Sequence, residues 1–259
     1  MFTGAMLTLE RQNAIRDILH REKAVSITSL SDLFTTSTAS IRRDLEKLEK
    51  QGLVKRTYGG AVLVEGINEE IPLKVREIEQ KEAKQLIART ATRFISDQDT
   101  IFMDSSTTTK ELTDFLSEKK ALTVITNGIR AMTDLSLLGN VDVYGISGKL
   151  RKPSLSMVGN QAETNVTNYW GAKLFFSCTG MWLSHGAMDY SDAEAEVRKK
   201  MMSVSQEIIL LCDHTKFDRP AFYKICSFSQ IHILITDQKL SSQWETLLSQ
   251  SGVEIIYAA

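Results

Sequence analysis

The sequence is poor in several residues and patterns that mark particular classes of protein. Its three cysteines, Cys178, Cys212 and Cys226, form no CxxC pair, which excludes a disulfide framework and a typical zinc site and favours reduced core cysteines. Only 3 prolines occur in 259 residues, so long disordered tracts are not expected. No apolar run approaches the ~18 residues of a membrane helix, and no signal-peptide pattern precedes Thr8. We therefore expect a cytoplasmic protein without membrane contact.

Net charge is also low, but it is unevenly distributed along the chain. The whole chain carries a net charge of −1, which by itself indicates no affinity for nucleic acid. Residues 1–60 contain ten Lys or Arg against seven Asp or Glu, so this segment carries +3 and the remainder carries −4. This asymmetry predicts a small basic domain attached to a larger, mildly acidic one, and 42% apolar residues suffice for a packed core in each.

Residues 6–64 show helical periodicity three times and then the pattern of a hairpin. Apolar positions at three- and four-residue spacing predict a helix after Thr8, a second shortly beyond it, and a third that Ser37 can cap. Gly52 suits the left-handed end of the third helix. From Val54 the period becomes that of a strand, and a Gly pair predicts a turn and a return strand. Three helices and a basic hairpin predict a winged helix-turn-helix.

The third predicted helix carries the side chains that we expect to contact DNA bases. Ile41, Leu45 and Leu48 mark its buried face, which turns the other residues of its first turns outward. Those turns enter the major groove in helix-turn-helix proteins, where Arg42 and Arg43 can contact guanine. The basic residues of the hairpin are expected to contact phosphates and set the register. The predicted DNA-binding residues are Ser37, Thr38, Ala39, Ser40, Arg42, Arg43, Lys55, Arg56 and Tyr58.

A different interpretation of these basic residues stays open at this point. Arg42 could pair with Glu46 one turn further along the helix, and the other Lys and Arg residues could form a solvated face. The concentration of all of them on one predicted surface favours DNA binding.

A linker is expected over residues 65–78, where Gly66, Asn68 and Pro72 separate patterned segments. Residues 79–259 then alternate short apolar runs with helical segments, which predicts a Rossmann-like α/β domain with a largely parallel sheet covered on both faces. Ligands of such sheets bind at the carboxyl ends of strands. The predicted strands are Thr100–Met103, Leu122–Ile125, Val141–Ile146, Leu174–Phe176, Ile208–Cys212 and Ile231–Ile235, and the predicted helices lie around 81–94, 110–116, 130–138, 193–204 and 243–248.

A hydroxyl-rich loop follows the first of these strands. Asp104 precedes five consecutive Ser or Thr residues, and a helix is predicted to begin directly after Thr109. Hydroxyls and backbone N–H groups at a helix N-terminus suit a phosphate, and the helix dipole favours an anion. The same composition is common in simple helix caps, so the loop alone does not decide between these roles. Polar or glycine residues also end the neighbouring strands, which predicts a pocket at this edge of the sheet.

Both parts of the chain resemble DeoR-type bacterial transcriptional regulators. The N-terminal resemblance rests on Leu33-Phe34, Ser37, Ile41–Leu45, Leu48-Glu49, Gly52, Arg56 and Tyr58–Ala61. The C-terminal region resembles the sensor domain of that family, which is similar to ribose-5-phosphate isomerase and glucosamine-6-phosphate deaminase. The resemblance implies a regulator, most often a repressor, that binds double-stranded operator DNA under the control of a small phosphorylated sugar. We expect a homo-oligomer, at least a dimer, because a single recognition helix rarely secures enough affinity.

The same resemblance implies which residues bind the effector. Those implied to hold its phosphate are Asp104, Ser105, Ser106, Thr107 and Thr108. Those implied to line the rest of the pocket are Thr126, Asn127, Gly148, Gly180, Arg198 and Lys216. The chain departs from the family pattern at Ser105 and Ser147, where glycine is usual, and at Arg198, where lysine is usual. Because arginine is longer and planar, we expect a ligand shape different from that of common relatives.

Two further functions are compatible with these patterns. One is a sugar-phosphate isomerase or aminosugar-phosphate deaminase fused to a DNA-binding module, which needs carboxylates or a histidine for proton transfer. Residues 178–184 lack the acid that enzymes of this fold carry, although acids between 189 and 196 remain available. The other is an architectural DNA-binding protein whose large domain only oligomerises. We predict no catalytic residue, no cofactor and no metal site, since His185 and His214 belong to no metal-binding spacing.

Overall fold

The computed structural model describes residues 8–22, 24–50, 53–57, 59–63 and 70–259. The chain divides into two units between Val75 and Arg76, at a point inside the predicted linker. Three predicted features lie outside the described residues, namely the helix end at Gly52, the DNA contact at Tyr58 and residues 65–69 of the linker.

Residues 8–63 form three helices and a three-stranded antiparallel sheet. In chain order they are α1 (Thr8–Glu22), β1 (Ala24–Ser26), α2 (Ile27–Leu33), α3 (Thr38–Lys50), β2 (Val54–Thr57) and β3 (Gly60–Leu63). Strand β3 lies between β1 and β2 and pairs with both in the antiparallel sense. The hairpin of β2 and β3 is the wing, so the predicted winged helix-turn-helix is confirmed.

Helices α1 and α3 are joined by apolar packing and by a buried carboxylate. Ile15 of α1 and Ile41 of α3 are both fully buried in the core of this unit. Asp44 of α3 is 1% exposed, and its carboxylate accepts hydrogen bonds from Arg11 Nε at 2.6 Å and Gln12 Nε2 at 2.8 Å. Because both donors belong to α1, these bonds fix how α3 is held on the core.

Replacing Asp44 with Ala should destabilise this unit by about 2 kcal/mol, because the buried amide of Gln12 and the guanidinium of Arg11 lose their hydrogen bonds to this carboxylate. Denaturant unfolding of the full chain, followed by circular dichroism, measures the change. Asp32→Ala is the control, since Asp32 is an exposed acid of α2. Equal midpoints for the Asp44 and Asp32 variants would show that the buried bonds contribute little.

The remaining elements include a helix that crosses the division between the units. They are α4 (Leu73–Ile78), α5 (Lys81–Ala91), β4 (Thr100–Met103), α6 (Thr107–Lys110), β5 (Leu122–Thr126), α7 (Ile129–Leu135), β6 (Val141–Gly145), β7 (Lys149–Arg151), β8 (Ser156–Val158), α8 (Asn160–Val166), β9 (Gly171–Phe176), β10 (Gly180–Trp182), β11 (Gly186–Asp189), α9 (Asp192–Ser203), β12 (Ser205–Leu211), β13 (Tyr223–Cys226), β14 (Ile233–Thr236), α10 (Ser242–Gln250) and β15 (Glu254–Tyr257). Short 3-10 helices occupy Thr92–Phe94, Glu111–Phe115, His214–Lys216 and Phe228–Gln230.

A seven-stranded sheet forms the centre of the second unit. Its order is β15-β14-β12-β9-β4-β5-β6, and each neighbouring pair of strands is parallel. Successive residues of β4 enter different cores, since Phe102 packs in one apolar cluster while Ile101 and Met103 pack in another. Side chains of a strand alternate between the two faces, so both faces of the sheet are covered. The predicted doubly covered parallel sheet is confirmed.

The six predicted strands correspond to β4, β5, β6, β9, β12 and β14, with ends that differ by a few residues. The sequence patterns missed the hairpin of β7 and β8, the small antiparallel sheet β10-β11-β13, and the edge strand β15. Most of these strands have three or four residues, too few to show a clear alternation. In the part of the chain that the structure describes, no helix combines the length and apolarity needed to cross a membrane.

Candidate functional site

The side chains predicted to contact DNA bases lie on the outer face of α3. Thr38, Ala39, Arg42 and Arg43 are exposed, whereas Ile41 on the opposite face is buried. Among the described residues, Arg42 and Arg43 form no hydrogen bond or ion pair. The interpretation that Arg42 pairs with Glu46 is wrong, because Glu46 instead accepts a bond from Lys50 Nζ at 2.8 Å. Both arginines therefore present unpaired guanidinium groups next to small neighbours.

Ser37 and Ser40 define the beginning of α3. Ser37 Oγ accepts the backbone N–H of Ser40 at 3.2 Å, which is the predicted N-cap bond, and the two hydroxyl oxygens lie 3.0 Å apart. Both hydroxyls thus already take part in hydrogen bonds at the beginning of α3. A contact with a DNA phosphate would be an additional role for them.

The wing is attached to the far end of the same helix. The backbone N–H of Arg56 donates to Glu49 Oε1 at 2.9 Å, and Arg56 Nε donates to Oε2 at 2.6 Å. These two bonds lower the pKa of Glu49. A phosphate that contacts Arg56 must therefore share its guanidinium with Glu49. Lys55 lies in β2 next to it, and Tyr58 lies outside the described residues.

The hydroxyl-rich loop after β4 is shorter than predicted. Helix α6 begins at Thr107, so the prediction that a helix begins after Thr109 is wrong. The reason is local, because Ser106 Oγ caps the helix by accepting Thr109 N–H at 3.2 Å. Thr109 Oγ1 in turn donates to Asp104 Oδ1 at 2.6 Å. Two of the five hydroxyls hold the loop together, and the backbone N–H groups of Thr107 and Thr108 begin the helix without a partner inside it.

Asp104 and Arg198 lie beneath this loop in a buried ion-pair network. Arg198 Nε donates to Asp104 Oδ2 at 2.6 Å, and Arg198 Nη1 donates to Asp189 Oδ2 at 2.5 Å. The residues are 1%, 4% and 5% exposed for Asp104, Arg198 and Asp189. Burial opposes the charge of Arg198, but Asp189, Asp104 and a third carboxylate outweigh it and raise its pKa. The planar guanidinium bridges two carboxylates, which the point charge of a lysine does less well.

The third carboxylate belongs to Glu194. This residue lies at the carboxyl edge of the parallel sheet, where three loops meet. Glu194 Oε1 accepts Ser156 Oγ at 2.6 Å and Ser105 Oγ at 3.5 Å. Burial opposes its ionisation, but Arg198 and nearby serine hydroxyls lower its pKa, so Glu194 is ionised at neutral pH. Ser105 also touches the loop after β5, since a Cβ on Gly128 would lie 3.0 Å from Ser105 Cα. Glu194 was predicted only as an acid available to the alternative isomerase or deaminase, and its place in this network depends on contacts with distant residues.

The end of β5 contains a buried acceptor without a donor. Thr126 Oγ1 accepts the N–H of Gly128 at 3.1 Å, and Asn127 Nδ2 donates to the carbonyl of Met157 at 3.1 Å. Asn127 is 2% exposed, yet its Oδ1 has no hydrogen-bond partner within the described residues. A buried unsatisfied oxygen is costly, so this position suits a hydroxyl from a bound molecule or a water.

A cationic cluster lies at the end of β12. Lys84 of α5 is 3% exposed and donates to the backbone carbonyl of Arg76. Burial and the charge of Lys216 lower the pKa of Lys84 to about 8, whereas the carboxylate of Asp213 acts in the opposite direction. Thr215 binds Asp213 Oδ1, while Asp213 Oδ2 is buried without a partner in the described part of the chain. The cluster thus combines two cations with an unused acceptor.

Lys84 is the main residue that the sequence analysis missed at this edge. It stands three, four and seven residues before Ile87, Ala88 and Ala91, all fully buried, so it occupies the apolar stripe of α5. The sequence feature that could have identified Lys84 is its place within an apolar stripe, since a buried charge requires a partner.

Backbone packing explains the two glycines that were predicted to line the pocket. A Cβ on Gly148 would lie 2.8 Å from the carbonyl oxygen of Val158, and its φ of +146° favours glycine. A Cβ on Gly180 would lie 2.1 Å from the carbonyl oxygen of Arg219. Among the described residues, no three His, Cys, Asp or Glu side chains form a group suited to a metal ion.

Comparison with known proteins matches both units. The profile of the DeoR C terminal sensor domain matches residues 79–238, and that of the DeoR-like helix-turn-helix domain matches residues 11–66. The chain belongs to the DeoR family. It is similar to the uncharacterized HTH-type transcriptional regulator YulB of Bacillus subtilis (strain 168), with 35% identity over 96% of each chain. It is also similar to a putative aga operon transcriptional repressor of Escherichia coli O157:H7, with 31% identity over 96% of this chain and 93% of the other.

Membership of this family makes the chain a DNA-binding transcriptional regulator. Its full-length relatives are named as regulators and not as enzymes, so the interpretation as an isomerase or deaminase is not supported. Among solved structures, ribose 5-phosphate isomerase A from Neisseria gonorrhoeae is similar over 53% of this chain and 54% of that chain, with 14% identity and a TM-score of 0.40.

Replacing Arg42 with Ala should weaken binding to the operator by about 1 to 3 kcal/mol, because one exposed guanidinium that is predicted to contact bases is lost. Lys55→Ala should instead weaken all duplexes similarly and reduce the salt dependence. Fluorescence anisotropy with operator and scrambled DNA, at several salt concentrations, separates the two effects. Lys50→Ala is the control, since Lys50 pairs with Glu46 at the far end of α3. An equal loss on both duplexes for Arg42→Ala would contradict base recognition.

Proposed function

We propose that this regulator represses a carbohydrate-utilisation operon and that a small phosphorylated sugar controls its affinity for the operator. The observation that carries the proposal is the cluster of Lys84, Lys216 and Asp213 at the carboxyl edge of the parallel sheet. Ligands of such sheets bind at this edge. Two cations suit a phosphate, and the unused Asp213 Oδ2 suits a sugar hydroxyl.

The phosphate is assigned to the cationic side of the edge. Helix α5, which carries Lys84, packs against α6, the short helix that follows the hydroxyl-rich loop. The opposite side is unsuited to a phosphate, because three carboxylates surround the single guanidinium of Arg198. Arg198 and Asp104 accordingly serve the site by holding the loop of Ser105 and Ser106 in place.

The sugar then extends from the cationic side towards the loops that meet at Glu194. Asn127 Oδ1 and the ionised Glu194 both accept hydrogen bonds, which fits a molecule rich in hydroxyl groups. Thr126, Gly148 and Gly180 shape the surrounding backbone in this proposal. One relative is named as a putative repressor of the aga operon, which supports the proposal that this chain represses an operon.

Repression also requires more than one copy of the recognition helix. We therefore include a homodimer or larger assembly in the proposal, bound to half-sites separated by about 10 bp or a multiple of it.

The proposal is tested by adding pentose 5-phosphates, hexose 6-phosphates and an amino sugar 6-phosphate to the purified chain, with the unphosphorylated sugars as controls. A true effector should raise the melting temperature, because ligands that bind the folded state stabilise it by mass action. The same compound should change the operator Kd in a gel shift. Specific operator binding without a response to any phosphosugar would instead favour an architectural DNA-binding protein, and turnover of a phosphosugar would favour an enzyme.

Binding of the effector should weaken as the pH rises from 7 to 9. The pKa of Lys84 is about 8, so its cationic fraction falls over this range, whereas a phosphate monoester with a second pKa near 6 stays a dianion. If only the cationic form of Lys84 binds, the loss reaches about tenfold. Isothermal titration calorimetry at each pH measures it. Lys84→Arg stays charged and should give a flat profile, and matching profiles for the two proteins would exclude Lys84 as the cause.

A further inference from the structure

We infer that α4 couples the effector site to the DNA-binding unit, through three contacts that connect its C-terminal half to separate walls of that site. The inference rests on the proposed function above, because it concerns how an effector at that site acts. No pattern in the sequence marked α4, which falls in the predicted linker.

The position of α4 in the chain gives it this role. Val75, 5% exposed, packs in the apolar core of the first unit, and Ile71 packs against the same core. The division between the units follows directly after Val75, so Arg76 and Glu77 belong to the second unit. Residues of one helix are joined by backbone hydrogen bonds, so a displacement of its last turn acts on its first turn.

The first contact links α4 to the cationic cluster. Lys84 Nζ donates to the carbonyl oxygen of Arg76 while its charge interacts with Asp213 and Lys216. A phosphate bound by Lys84 competes for the same three ammonium N–H donors. Binding of a phosphate therefore affects the hydrogen bond from Lys84 to the carbonyl of Arg76.

The second contact links α4 to the loop after β5. Arg130, in the first turn of α7, forms an ion pair with Glu77. Helix α7 begins immediately after Gly128, which lies so close to the hydroxyl-rich loop that a Cβ on it would be 3.0 Å from Ser105 Cα. A movement of that loop that is transmitted to α7 thus reaches Glu77.

The third contact links α4 to the hairpin of β7 and β8. The guanidinium of Arg76 donates to the carbonyl oxygen of Pro153 at 3.4 Å, in the turn of that hairpin. Ser156 of the same hairpin donates to Glu194 at 2.6 Å. The three contacts end on three different walls, and each wall carries or directly contacts a residue assigned to the effector site.

The Glu77–Arg130 pair allows a test, because neither residue is assigned to effector binding. Glu77→Gln and Arg130→Gln should leave the Kd for the effector unchanged but reduce the effect of the effector on the operator Kd by up to about fivefold, the range of one surface ion pair. The exchange Glu77→Arg with Arg130→Glu should restore the response. The probe is the member of the phosphosugar panel with the largest thermal shift, and calorimetry and gel shifts give the two readouts.

Lys199→Gln is the matched control, since the Lys199–Glu196 pair has similar exposure and lies on α9. The inference holds if only the α4 variants lose the response and the charge exchange recovers it. An effector that binds and acts equally on the native chain and on both single variants overturns the inference and leaves the proposed function intact. If no panel member binds the native chain, the proposed function fails and the inference fails with it.

Discussion

The buried guanidinium of Arg198 is the interaction on which the carboxyl edge of the parallel sheet depends. It joins α9 to the ends of β4 and β11 by pairing with Asp104 and Asp189. Buried charges are tolerated only when they are paired and hydrogen-bonded, so the three residues must be retained together. Asp104 then orders the hydroxyl-rich loop, accepting the N–H of Ser106 at 3.1 Å as well as the hydroxyl of Thr109.

The charges at the carboxyl edge of the sheet are unequally placed, and this polarity orients the proposed ligand. Carboxylates predominate around Arg198 and Glu194, whereas Lys84 and Lys216 stand at the end of β12. A phosphorylated sugar has the matching polarity, with an anionic group at one end and hydroxyls along the rest. Lys84, which is proposed to bind the phosphate, also donates to the carbonyl of Arg76 in α4. In this proposal, one side chain therefore both binds the phosphate and transmits its binding to α4.

Much of the architecture could be predicted because it depends on local periodicity. Ile41, Leu45 and Leu48 recur at helical spacing, and their burial turned Arg42 and Arg43 outward as expected. The parallel sheet followed from alternating apolar and helical segments. The start of α6 was misplaced because Ser106 and Thr109 could each serve as cap or as loop residue. Asp44 was not singled out, since its role depends on two donors from another helix.

The sequence by itself determined a winged helix-turn-helix, a parallel α/β domain and the family to which the chain belongs, since these depend on residue spacing within single elements. Only the tertiary structure decided which polar groups are paired with other groups of the protein and which remain available to a ligand. Arg198 and Asp104 are 94 residues apart in the chain, and their pairing withdraws both from the surface. Lys84 entered the site because α5 packs beside the end of β12. Charge pairing and burial depend on such distant contacts, which a linear pattern does not contain.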